Sequence, residues 1–99
     1  MNQNGRRRVV ITGLGALTSL GNDYETTWQN LIAGESGAGQ ITQFDDTNYE
    51  VHFACEVRDF DPAQFMEHKT ARRMDRFAQL AIAAARQAEA DSGLSLIHI

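Results

Sequence analysis

The segment Val9-Val10-Ile11-Thr12-Gly13-Leu14 constrains the chain most. It is almost continuously apolar and opens with four β-branched residues. An alternating strand hides one face, whereas a continuous apolar run marks a strand covered on both faces. Such a strand needs neighbours in its sheet and helices on either side. A second strand is expected over 51–57, and a third would begin in the apolar end, Leu94-Ser95-Leu96-Ile97-His98-Ile99. Two strands, two main helices and an unfinished third strand imply an α/β domain cut short within 99 residues. The composition agrees with a folded segment: 42% hydrophobic, 22% charged and one proline, which excludes collagen-like and wholly disordered chains.

Punctuation residues divide what lies between. Asn22 or Asp23 is placed to cap a helix whose apolar stripe is Trp28, Leu31 and Ile32, with Gly34 as its stop. The stretch 34–40 reads as a loop, and Phe44 and Tyr49 are expected to anchor the irregular segment after it. Asp61-Pro62 opens a short helical turn, because a proline at the first helical position gives up no hydrogen bond there. One long helix is expected over 69–91, with Thr70 as a possible cap and Gly93 as its stop. Met74, Phe77, Ala78, Ala81, Ile82, Ala85 and Ala88 form its apolar face.

Charge narrows the function. The net charge of −4 argues against a nucleic-acid-binding protein. Arg6-Arg7-Arg8 precedes an apolar run that is too short and too interrupted for a targeting signal or a membrane span. The expected compartment is the cytoplasm, with no membrane association. Four of the nine basic residues nevertheless fall within eight positions: Lys69, Arg72, Arg73 and Arg76. On a continuous helix their offsets of 0, 3, 4 and 7 place them along one side. Uncompensated like charges repel, so an acidic partner would account for them.

Other motifs fail on mechanism. Gly13-x-Gly15-x-x-Thr18 lacks the helix that must start at the glycines to meet a pyrophosphate, so these glycines read as close-packing positions. Gly34-Glu-Ser-Gly-Ala-Gly39 is followed by Gln40 and Ile41, where a phosphate loop requires Lys and Ser or Thr. His52 and Cys55 stand three apart on a strand and diverge. Cys55, the single cysteine, is expected to be a small buried residue. No catalytic residue, metal ligand or cofactor site is assigned to the chain.

Arg7-Arg8-Val-Val-Ile-Thr-Gly-Leu-Gly15, Thr18-Ser19-Leu-Gly-Asn22, Trp28 and Leu31-Ile-Ala-Gly34-Glu-Ser-Gly37 resemble the opening of the β-ketoacyl-acyl carrier protein synthases. Phe53-Ala54, Asp59-Phe60 and Lys69-x-x-Arg72-Arg73-Met74-Asp75-Arg76-Phe77 are similar to the type II enzymes of fatty-acid elongation. The likeness runs from about residue 6 to 94, and 95–99 form an atypical tail.

The resemblance implies the N-terminal part of a thiolase-like layered α/β/α fold and a homodimeric parent enzyme. That enzyme would condense acyl- and malonyl-carrier protein, releasing CO2. The family's nucleophilic cysteine and paired histidines match neither Cys55 nor the histidines present, so the chain alone is expected to be inactive. What carries over is a carrier-protein contact at Lys69, Arg72 and Arg73. Position 73 is often lysine in the family, and Arg73 keeps its charge. A polyketide ketosynthase, or a non-catalytic module that binds an acidic protein, are the alternative readings.

Overall fold

The computed structural model describes residues 5–94, so the third strand and the tail expected at 95–99 lie outside the described residues. The elements are α1 (Tyr24–Ile32), β1 (Gly39–Gln40), β2 (Phe53–Ala54), a 3-10 turn (Pro62–Gln64), α2 (His68–Arg72) and α3 (Arg76–Ser92).

Capping chemistry places α1 where the sequence predicts. The Asp23 carboxylate accepts the Thr26 amide at 2.7 Å, satisfying an N-terminal donor. The chain leaves the helix through Gly34, whose φ of 78° is a left-handed conformation that a β-carbon would strain. The Asp61-Pro62 turn forms as expected, with the Asp61 carboxylate accepting the Ala63 amide at 3.0 Å.

The strand expected at 9–14 belongs to no ladder among the described residues, and Val9 and Ile11 are 88% and 81% exposed. β-Branched sequence favours an extended backbone, but a strand exists only as one side of a pairing. One edge of this segment is nevertheless satisfied. The Leu14 amide donates to the Asp91 carboxylate at 2.9 Å, and the Ala16 amide to Gln87 Oε1 at 3.0 Å. Two amides spaced two residues apart point the same way, so side chains of α3 occupy the place of a neighbouring strand. Gln87 also donates to the Asn22 carbonyl at 2.6 Å.

This contact requires Gly13 and Gly15. A β-carbon at 13 would stand 2.6 Å from the Ser92 nitrogen, and one at 15 would overlap the Ala84 carbonyl. The two glycines therefore permit close packing, as the sequence implied, and α1 rather than the glycine segment holds the nearest helix start.

The second strand is shorter than its pattern suggests, because only Phe53–Ala54 pair. Their partner is Gly39–Gln40, which the sequence assigned to a loop. The antiparallel register sets Gly39 opposite Ala54 and Gln40 opposite Phe53. Glycine-rich composition hid this strand, since a pairing partner can impose extended backbone on residues with no preference for it. The Phe44 and Tyr49 rings meet edge-on with centroids 5.5 Å apart in the connection between the strands.

The long helix expected over 69–91 is two helices. Arg73 ends α2, and Asp75, at φ −70° and ψ 158°, is the extended residue before α3. Aspartate favours such pre-helical positions over helix interiors. Thr70 falls inside α2, where Glu67 holds the cap position. The Gln79 side-chain amide donates to the Ala71 carbonyl at 2.8 Å, serving a terminal carbonyl of α2 across the break.

The core is small. Ala71 and Ala83 are buried, whereas Phe77, expected on the packed face, is 75% exposed. The Cα radius of gyration is 17.5 Å, against about 13 Å for a compact chain of this length.

Candidate functional site

The Asp61-capped turn and α2 together build a small platform. Phe60 and Phe65 stack with centroids 6.2 Å apart, and α2 presses its buried Ala71 inward. That orientation leaves Lys69, Arg72 and Arg73 exposed around a shared hollow of about 330 Å³. Among the described residues, none of the three donates a side-chain hydrogen bond, and no carboxylate lies within 4.0 Å. The carbonyl end of α2 favours cations locally, by about 0.3–1 kcal/mol each at most. That effect explains charge at the helix end without explaining why three cations share one concavity.

Arg76, the fourth member of the expected ridge, is diverted. It donates to the Val57 carbonyl at 2.9 Å, and its guanidinium lies 5.6 Å from the Phe60 ring centroid. The break at Asp75 separates it from the other three, because an extended residue destroys the helical offset that would have aligned them.

Among the described residues, the remaining reactive side chains do not assemble a second site. Cys55 is exposed, correcting the expectation of burial, because the short two-stranded sheet has no layer covering it. His52 turns to Asp46, with Nδ1 and Oδ2 2.8 Å apart. His68 opens α2. No group of three potential metal ligands occurs among the described residues, and no helix there is long and apolar enough to cross a membrane. A larger apolar groove of about 430 Å³ is bordered by Leu14, Tyr24, Trp28 and Leu31, and among the described residues no cysteine or histidine lines it. The Asp91 carboxylate pushes the Tyr24 phenol above its ordinary range.

Two positioning residues escaped sequence reasoning. Glu56 accepts the Thr42 hydroxyl at 2.9 Å, the Thr42 amide at 3.1 Å and the Gln43 amide at 3.1 Å. Desolvation pushes its carboxyl upward. The bonds from Thr42 and Gln43 and the charge of Arg58 outweigh that, holding it below the usual glutamate value. Arg58 donates to the carbonyls of Gly37, at 3.0 Å, and Ser19, at 3.4 Å. Asp59, left-handed at φ 58°, is secured by the Asn22 amide bonding both the Arg58 and Asp59 carbonyls. The only sequence signal for this tie was the tolerance of aspartate for left-handed backbone.

Comparison with known proteins places this arrangement. The family described as "Beta-ketoacyl synthase, N-terminal domain" matches residues 6–98. The chain is 49% identical over 96 residues to 3-oxoacyl-[acyl-carrier-protein] synthase 2 of Staphylococcus aureus (strain COL), covering 97% of this chain and 23% of that protein. It is 50% identical over 91 residues to the synthase of the same name from Coxiella burnetii (strain RSA 493 / Nine Mile phase I), covering 92% and 22%. A solved structure titled "The ishigamide ketosynthase/chain length factor" superposes with a TM-score of 0.85 at 45% identity, covering 92% of this chain and 23% of that one. The chain thus spans less than a quarter of the length of these relatives. Identity at this level across nearly all of its residues means that the chain belongs to the β-ketoacyl synthase family, within the N-terminal domain.

Proposed function

We propose that this chain is the N-terminal part of a 3-oxoacyl-acyl carrier protein synthase of fatty-acid elongation, and that Lys69, Arg72 and Arg73 dock the acidic acyl carrier protein. In the complete enzyme the segment would form part of a thiolase-like layered fold within a cytoplasmic homodimer. The reaction would condense an acyl group with malonyl-carrier protein, giving a 3-oxoacyl-carrier protein two carbons longer and CO2. The observation that carries the reading is the three-cation hollow, left uncompensated among the described residues in a family whose named relatives act on carrier-bound substrates. Complementary charge of this kind accelerates encounter and sets register more than it adds affinity.

The test is Arg72→Glu combined with Arg73→Glu in a full-length synthase carrying this segment. The expected result is a KM for carrier-bound substrate raised about tenfold or more, the equivalent of roughly 1.4 kcal/mol of lost interaction. Turnover of a small free thioester should change little. Equal losses on both substrates would mean damaged folding and would remove the docking role. A complete protein with no condensing activity would leave a module that binds an acidic partner.

The ketosynthase title of the solved neighbour supports a second reading, a polyketide ketosynthase. Preference for a saturated acyl-carrier substrate favours fatty-acid elongation, and preference for an unreduced 3-oxoacyl chain favours the polyketide reading.

A further inference from the structure

A carrier helix and a compact oxyanion make different demands on a set of cations. Carboxylates spread along a helix are met by charges spread along a surface, whereas a compact anion is held best where charges converge. Among the described residues, Lys69, Arg72 and Arg73 line one open hollow of about 330 Å³, and its walls are mostly polar. Arg76, which would have extended the row, is tied to Val57 and Phe60. Two of the three lining groups are guanidiniums, whose planar forks bond phosphate oxygens in pairs, and the ammonium adds a mobile point charge.

We propose that this hollow binds a small free polyphosphate anion, and that such an anion competes with the carrier protein for the same three side chains. The competition rests on the docking role proposed above, whereas the anion site rests on the hollow itself. Carrier docking would then fall as the supply of free polyphosphate rises, independently of the chemistry at the reacting cysteine.

Inorganic pyrophosphate is the probe. It is titrated calorimetrically into a full-length synthase carrying this segment, with chloride added to keep ionic strength constant. Binding should weaken at least about tenfold in the Arg72→Gln, Arg73→Gln double variant and recover in part when both are lysine. Pyrophosphate should also raise the KM for carrier-bound substrate where chloride at equal ionic strength does not. Thermal melting monitors the fold of each variant.

Equal binding by wild type and double variant would overturn the proposal, as would equal effects of chloride and pyrophosphate on KM. The docking role would survive either result if the double variant still raised the carrier KM. Conversely, triad-dependent pyrophosphate binding with an unchanged carrier KM would support the anion site and discard docking.

Discussion

Gly15 rests directly on the Ala84 carbonyl, so that a β-carbon at position 15 would occupy the space of that oxygen. Backbone cannot yield as a flexible side chain can, and the helix would have to move away from 13–16. Gly15→Ala should therefore cost about 1–3 kcal/mol in a full-length synthase, through overpacking and loosening of the Ala16–Gln87 bond. A melting temperature equal to wild type would show that α3 does not hold this segment.

Arg76 and Arg72 offer opposite outcomes from the same substitution. Arg76→Gln removes a bond to the Val57 carbonyl and a guanidinium–ring contact, together worth about 1–2 kcal/mol of stability. It should lower the melting temperature while leaving the carrier KM near wild type. Arg72→Gln should do the reverse, since its side chain bonds nothing among the described residues. Steady-state kinetics beside thermal melting checks both, and a raised carrier KM in Arg76→Gln would restore the four-cation ridge.

Acid should open the connection between β1 and β2. In the folded chain the Glu56 carboxyl is held below the usual glutamate value. Its contribution is therefore full at neutral pH, and it is lost as pH falls from the unfolded value through the lower folded one. Protection of the Thr42 and Gln43 amides, as exchange rates relative to an unstructured peptide at the same pH, should fall over that acidic window and stay constant between about pH 6 and pH 8. In Glu56→Gln the acidic step should disappear, because the amide side chain does not titrate there. An unchanged step would assign it to another carboxylate, such as the N-capping Asp23, also depressed by its bond from the Thr26 amide.

Local rules read from the sequence held wherever one residue decides the geometry. Asp23 caps α1, Gly34 and Gly93 take left-handed conformations, Pro62 opens its turn, and Gly13 and Gly15 admit α3. Each is a steric or hydrogen-bonding statement about a few adjacent atoms, so its signal lies in the residue itself. The three cations were equally legible, because charge is written in composition and spacing.

Partnership was decided only in three dimensions. Val9–Leu14 carries a strand's preference but joins no ladder among the described residues, Gly39–Gln40 carries none and pairs, and Asp75 splits a helix whose apolar periodicity runs on unbroken. A strand and the length of a helix depend on distant backbone meeting backbone, which no local preference encodes. The same logic sorted the arginines: sequence supplied four like charges, and the fold gave Arg76 to Val57 and Phe60 while leaving Lys69, Arg72 and Arg73 around one hollow.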